Sequence, residues 1–399
     1  MTVVGEAIAR RARALDTRLS TEARACVVWA CFALLVVIVR LDSEYSLGNV
    51  FVIYREAGLR WRDGRDLYPA EFAFNYFPPS ALLLAAWSWL PFQIGGALWR
   101  IANLAVFAFG LWKVSQTFGR RVSPRHFLIA TVVTVVLSGS AARYGQMTLP
   151  MSGLMMASVA YAEGGALWRA AVCAALAVAL KPFAVVLVLL LVAIYPRLPW
   201  RMAVALAGFF LLPFLFQHPD YVWRQYAAVP EMLWARASVP PYEWQQHVFG
   251  LVEKLGWTTT LVQETIIRGV SAVLVLFLCW RVRRRAPAIG VALSIYALAA
   301  CYILLFGSNT ERNTYAMIAP VIGLVAATAW STRDRRLLSL MSAVTCIMLL
   351  SHSLQRDFPH TVLAMAKPIA CLILVGWLVL MVLRAPREAS GLEKPGPTP

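Results

Sequence analysis

Runs of apolar residues recur along the whole chain, near 24–41, 94–115, 125–139, 147–162, 165–195, 199–216, 262–282, 288–306, 314–330, 336–352 and 363–383. A bilayer core of ~30 Å takes about 20 helical residues to cross, and every backbone N–H and C=O inside it must be satisfied within the segment. So many runs constrain the chain to an all-α, polytopic transmembrane helical bundle. Composition agrees, because 60% hydrophobic and only 14% charged residues in a chain of 399 leave too little polar surface for a soluble shell.

The net charge of +17 invites a nucleic-acid reading, and its distribution argues against one. Six short segments (1–24, 113–126, 196–201, 281–285, 331–336 and 384–399) hold 21 of the 37 basic residues and 6 of the 20 acids. Basic residues gathered in turns between apolar runs follow the positive-inside rule and form no continuous face for a phosphate backbone. No nucleic-acid partner is expected. The seven cysteines all lie in apolar stretches, and the five histidines show neither HExxH nor an i, i+4 pair, so no metal or other cofactor is expected.

If the basic segments are cytoplasmic, both termini lie inside and the number of spans is even. Splitting 165–195 at Lys181-Pro182, where proline removes a helix hydrogen bond, gives about twelve spans. The run Pro78 to Pro91 is then a re-entrant or interfacial helix. The Arg10, Arg11 and Arg13 cluster ahead of a full span, with no small-residue cleavage site behind it, disfavours a cleavable signal peptide. The expected organisation is one integral domain over 1–383 and a disordered cytoplasmic tail over 384–399. Extracytoplasmic loops at 42–77 and 217–261 carry amphipathic helices, and short outer turns fall at 140–146, 307–313 and 353–362. Phe51, Tyr54, Gly58 and Trp61, spaced three to four residues apart with charges between, predict such a helix over 50–62.

Charge at membrane depth is costly and points to function. Lys181, ahead of Pro182, is placed to bind an anion or to snorkel to the headgroups. Arg143, at the outer end of a span, is an anion ligand or an interfacial anchor. Glu311 and Arg312 close a polar turn, as a site or as a local ion pair. Asp42 and Glu44 directly follow the first span, at the height where a base meeting a lipid-borne substrate would stand, or else as solvated residues at a helix exit. His247 has a hydroxyl-orienting or a purely structural role open to it, with Trp244 offering a stacking face.

Tyr54-Arg55-Glu56-Ala57-Gly58, Gly64-Arg65-Asp66-Leu67-Tyr68, Asn75-Tyr76-Phe77-Pro78-Pro79, Gly145-Gln146 and Lys181-Pro182 follow one another in an order that resembles the DUF2029 group of bacterial membrane proteins. These are classed as family 87 glycosyltransferases with the GT-C membrane fold, and the resemblance spans roughly residues 24 to 330. It implies metal-independent, inverting transfer of one sugar, a hexose such as mannose, from a polyprenyl-phosphate donor to a lipid or glycan acceptor at the outer face of the cytoplasmic membrane. It adds Tyr54, Glu56, Asp66, Tyr76 and Gln146 to the candidate substrate-binding residues and implies a first-loop carboxylate as base. The family's aspartate usually stands just before the tyrosine-containing helix. Here that stretch reads Gly48-Asn49-Val50-Phe51, and Asp42 and Glu44 are the nearest carboxylates before it.

Two readings compete with a transferase: a transporter or flippase for a lipid-linked sugar, and a non-catalytic membrane protein of envelope assembly. The two long loops differ in length and motif, which disfavours the internal repeats common in transporters. The sidedness is testable by thiol labelling of single cysteines. A cysteine at position 66 should react with a membrane-impermeant reagent from outside, and one at 284 only after permeabilisation.

Overall fold

The computed structural model describes residues 21–39, 49–70, 72–121, 125–237, 245–285, 289–308 and 310–385. Among these the secondary structure is helical, the only β pairing being an isolated antiparallel bridge between Gln245 and Glu311. In chain order the helices are α1 (Thr21–Ile38), α2 (Phe51–Arg62), α3 (Pro78–Ser88), α4 (Phe92–Ser115), α5 (His126–Tyr144), α6 (Thr148–Glu163), α7 (Leu167–Leu180) and α8 (Val185–Ile194). They continue as α9 (Pro199–Leu211), α10 (Pro219–Ala237), α11 (Val248–Lys254), α12 (Leu261–Arg285), α13 (Val291–Phe306), α14 (Ala319–Thr332), α15 (Arg335–Asp357) and α16 (Ala366–Arg384). Seven helical stretches are long and apolar enough to cross a membrane, and four shorter apolar ones lie between them. The chain is a multi-pass membrane protein.

Contacts between segments distant in sequence define two ends of the bundle. At one, the Tyr195 hydroxyl donates to Glu163 (2.8 Å), Arg283 lies 4.1 Å over the Tyr195 ring, and Arg281 and Arg285 donate to the carbonyls of Leu383 (2.8 Å) and Ala385 (3.0 Å). At the other, the Trp99 indole donates to Gly145 O (2.8 Å), Lys181 to Thr148 (3.0 Å), and the Gln246 amide to Thr310 O (2.7 Å). The basic turns thus gather at one end and the long loops at the other. Exposed tryptophans ring both, with Trp168, Trp200, Trp280 and Trp330 at the basic end and Trp89, Trp223, Trp234 and Trp257 at the loop end. These are the two aromatic belts of a protein that crosses both interfaces.

The sequence expectations hold in detail at two places. Helix α2 buries Phe51, Tyr54, Ala57, Gly58 and Trp61, the anticipated stripe. It lies so close on α3 that a Cβ on Gly58 would stand 2.6 Å from the Leu84 carbonyl oxygen. Lys181 is extended (φ −149°, ψ 123°), and Pro182 opens a short 3₁₀ turn over Pro182–Ala184, so 165–195 is two helices. Two boundaries move outward. Helix α5 runs through Gly139 to Tyr144 and ends at Gly145, which takes the left-handed conformation at φ 69° as a helix C-cap. Helix α15 runs to Asp357, past its apolar run, because no glycine or proline interrupts it before Pro359, which disfavours the helical conformation at Phe358.

The main core surrounds α6, of which nearly every residue is buried. A second cluster joins Phe51, Tyr54, Trp61, Leu67, Phe74, Leu84, Trp99 and Tyr221, and seats α2, α3 and α10 on the loop end of the bundle. Helices α4 and α6 cross backbone to backbone. A Cβ on Gly110 would lie 2.1 Å from Gly153 O, and one on Gly153 would lie 2.2 Å from Val106 O, as expected where small residues let membrane helices approach. Gly153→Val should therefore destabilise the detergent-solubilised protein by ~1–3 kcal/mol or more, read as a lowered midpoint of thermal aggregation. Gly208→Ala, with nothing within 4 Å of its added methyl, should leave that midpoint unchanged.

Candidate active site

The loop end is where the backbone departs from α-helix most often. Four 3₁₀ turns lie there: Pro182–Ala184, Leu212–Leu215, Arg312–Ile318 and Val362–Met365. The Lys181 ammonium, freed from the helix pattern by Pro182, donates to Thr148 Oγ1 at the first turn of α6 (3.0 Å) and lies 5.3 Å over the Phe183 ring. The Tyr54 and Tyr76 hydroxyls are 3.2 Å apart, and the Met147 amide donates to Tyr54 Oη (3.3 Å). Both rings are packed away from solvent, and burial pushes the Tyr54 hydroxyl up to about 12 against the opposing pull of its two hydrogen bonds. Tyr76 is raised well above its ordinary range, first by burial and then by Tyr54. Both tyrosines stay neutral and serve as hydrogen-bonding groups.

Glu311 binds this cluster together electrostatically, its charge reaching Tyr54, Tyr76 and Lys181. Its carboxylate accepts no hydrogen bond and joins no ion pair among the described residues. Its backbone is extended (φ −90°, ψ 165°) and pairs with Gln245.

Arg312 opens into a different space. A cavity of about 420 Å³ lies between α5, α15 and the first turns of the segments at Arg312–Ile318 and Ala366–Arg384, lined by Arg143, Arg312, Asn313, Ser140, His352 and Lys367. Arg312 is 3.1 Å from His352 Nδ1, the Lys367 ammonium donates to Arg312 O (2.8 Å), and Ser140 donates to Asn313 (2.5 Å). Among the described residues no carboxylate lines it. Its apolar side holds Val136 and Leu349, both about half exposed at 52% and 49%, so it opens laterally toward lipid.

The other candidates fall elsewhere. Gln146 is buried behind the Gly145 turn, its amide donating to Ala141 O (3.0 Å). Glu56 is held by Arg60 (2.9 Å) and Arg65 (3.2 Å) on the outer surface of α2. Asp66 caps the Tyr68 amide (3.1 Å) at the mouth of a second cavity. His247 is buried and caps α11: the Gly250 amide donates to Nδ1 (3.1 Å), which leaves the proton on Nε2 to donate to Gln245 Oε1 (2.9 Å). Asp42, Glu44 and Trp244 lie outside the described residues. Lys367 and His352 were missed, although both are charged or titratable groups within an apolar run, and Lys367-Pro368 repeats the Lys-Pro signal of 181–182. Buried Arg100 was missed as well; it donates to Asn49 Oδ1 (2.9 Å), Gly96 O (2.9 Å) and Arg143 O (3.2 Å), and so fixes the end of α5 that carries Arg143. Among the described residues no group of three or more His, Cys, Asp or Glu is placed to hold a metal ion.

Burial drives His247 down to about 4, with Arg268 adding to the fall and Glu264 opposing it. The unfolded chain, with an ordinary histidine, binds a proton there between about pH 6.5 and 4 while the folded one does not. Stability should therefore fall as pH drops through that window. His247→Asn keeps an acceptor for the Gly250 amide, and thermal unfolding from pH 7.5 to 4.5 should show a shallower decline in this variant than in wild type.

A sequence model of glycosyltransferase family 87 matches residues 74–308, more than half of the chain. No curated protein matches in a sequence comparison. Among solved structures, the crystal structure of ArnT from Cupriavidus metallidurans bound to undecaprenyl phosphate is similar over 90% of this chain and 76% of that one, at 17% identity and a TM-score of 0.46. The apo structure of the same protein is similar over 91% and 77%, at 15% identity and a TM-score of 0.44.

Proposed function

Taking as premise that the chain belongs to glycosyltransferase family 87 and is a membrane glycosyltransferase, we propose that it moves one sugar from a polyprenyl-phosphate donor to a lipid or glycan acceptor at the outer face of the cytoplasmic membrane. In this reading the chain has the GT-C architecture with about twelve spans and both termini cytoplasmic. The observation that carries it is the lipid-facing cavity of Arg143, Arg312, Lys367 and His352. A cavity with three cations, no carboxylate and a lateral opening suits a phosphate that arrives on an isoprenoid chain, because the charge can enter from the membrane plane without crossing the bilayer core.

The transfer needs an acceptor hydroxyl to attack the anomeric carbon as the bond from that carbon to the phosphate oxygen breaks. The hydroxyl proton passes to a carboxylate and the lipid phosphate leaves as an anion. Arg143, Arg312 and Lys367 stabilise that anion, which is where charge grows in the transition state. The resemblance implies Asp42 and Glu44 for the proton. The geometry offers Glu311, the chain neighbour of Arg312, whose carboxylate is hydrogen-bonded to none of the described residues and acts on Tyr54, Tyr76 and Lys181. We assign the proton to Glu311, with Tyr54 and Tyr76 orienting the acceptor. A single displacement of this kind inverts the anomeric carbon, and its metal-independent course follows the resemblance. The sugar, a hexose such as mannose in this reading, follows the resemblance.

Titration of undecaprenyl phosphate into the purified protein tests the donor site. Arg143→Ala, Arg312→Ala and Lys367→Ala should each weaken binding by a charge-assisted contact worth roughly 1.5–3 kcal/mol, with Arg143→Lys affected less. Unchanged binding in all three alanine variants would confine these cations to an interfacial role. Glu311→Gln should retain donor binding and lose turnover by ~100-fold or more in a polyprenyl-phosphate-sugar transfer assay, because an amide cannot take the proton. Full activity in Glu311→Gln with loss in Asp42→Asn or Glu44→Gln would move the base to the first loop.

A further inference from the structure

A second cavity, of about 500 Å³, lies at the loop end between the segment 66–75 and α10, and its chemistry is the inverse of the first. It is lined by Asp66, Tyr68, Phe72, Phe74, Asn75 and Glu231, with the small Ala228 on the α10 side and, among the described residues, neither lysine nor arginine. Tyr68, Phe72 and Phe74 form a near-parallel stack, with rings inclined at 26° and 12° to one another. Arg60 lies outside the lining, 4.8 Å over Phe72, and is committed to Glu56 (2.9 Å) and to the Asp66 carbonyl (3.1 Å). The stack leads inward. Ring centroids step from Phe72 to Phe74 (6.2 Å), from Phe74 to Tyr76 (5.3 Å) and from Tyr76 to Tyr54 (5.7 Å), and end at the cluster that Glu311 and Lys181 share. The Tyr68 hydroxyl donates to Tyr76 O (2.7 Å), which ties the outer wall to the inner one.

We propose that this cavity is a glycan subsite for the acceptor, and that it takes an uncharged, hydroxyl-rich pyranoside. The proposal rests on the transferase reading of the cation cavity and adds the substrate class of the second partner. Aromatic walls pack against the C–H faces of a pyranose, and two carboxylates accept its hydroxyl protons. The same carboxylates, with no cation beside them in the lining, repel a phosphorylated or acidic group. Substrates are thus sorted by charge: the anionic donor is drawn to Arg143, Arg312 and Lys367, and the neutral acceptor to Asp66 and Glu231. Exposed Trp223 and Trp234 on α10 set this helix at headgroup height, where a glycan carried on a lipid and a free glycan meet the same recognition chemistry.

Saturation-transfer NMR on the full chain in nanodiscs tests this. The probes are methyl α-glucopyranoside and methyl α-mannopyranoside as free glycans, a diacylglycerol glucoside in the disc as the lipid-borne form, and glucose 1-phosphate as the anionic control. The glycosides should bind saturably, and the lipid-borne form more tightly if the natural acceptor is a glycolipid. Glucose 1-phosphate should not compete with them. Glu231→Gln, on an exposed helix face, and Ala228→Trp, which fills the cavity without removing a polar group, should each weaken glycoside binding by roughly tenfold, about 1.4 kcal/mol. Equal binding of glucose 1-phosphate, undiminished glycoside binding in Ala228→Trp, or no saturable glycoside binding by wild type would overturn the proposal. Undecaprenyl phosphate binding in the same discs is the independent arm. Its retention in both variants confirms that they are folded, and its absence from wild type would remove the transferase reading while the glycoside result stood.

Discussion

The organisation of this protein depends on the demand that backbone polar groups inside a bilayer be satisfied without water. An α-helix meets it by itself, whereas a broken helix meets it only where side chains or a wet cavity take over the freed groups. Four of the five 3₁₀ turns accordingly lie at the loop end, and only Gln116–Arg121 lies at the basic end. Each break is repaired locally. The Thr310 hydroxyl donates to Ile303 O (3.2 Å) where α13 ends, and Lys367 donates to Arg312 O (2.8 Å) at the next break. Lys367, which makes one of these repairs, also lines the cation cavity, so one side chain serves both backbone satisfaction and the charge of that cavity.

Much of this was legible in the sequence because membrane helices announce themselves through long apolar runs. The amphipathic α2, the split at Lys181-Pro182 and the gathering of basic turns at one end all follow from local rules of period, proline geometry and charge. Helix ends at Tyr144 and Asp357 were read short, since apolarity stops before hydrogen bonding does. The site was legible only in part. Lys181, Arg143, Glu311 and Arg312 stand out one by one as charge near membrane depth, and Lys367, His352 and Arg100 carried the same signal within spans treated as uniform. What no local rule supplies is which ends converge. That Arg143 at the end of α5 meets His352 on α15 and Lys367 on α16 is a consequence of helix packing order over more than two hundred residues.

The same packing explains why adjacent residues can serve different cavities. In an α-helix the side chains of 311 and 312 would diverge by about 100° and share one surface. Here Glu311 is extended, held by the bridge to Gln245, and Arg312 begins a 3₁₀ turn, so successive side chains are sent toward opposite sides as in a strand. The Glu311 charge is felt at Lys181 and the tyrosine pair, and the Arg312 guanidinium lies 3.1 Å from His352 Nδ1.

That separation bears on how the two substrates would be kept apart. A base has to be ionised while an anion leaves a short distance away, and a single pocket holding both charges would pair them and cancel the effect of each. An extended residue between two cavities keeps the guanidinium free for the phosphate and the carboxylate free for the hydroxyl. The short link between them is covalent and rigid, which fixes their spacing more closely than any pair of side chains from separate helices could. The end of α13 at Phe306 therefore does more than open a cavity: in the proposed reading it lets two neighbouring residues, Glu311 and Arg312, offer opposite charges to the two reacting groups.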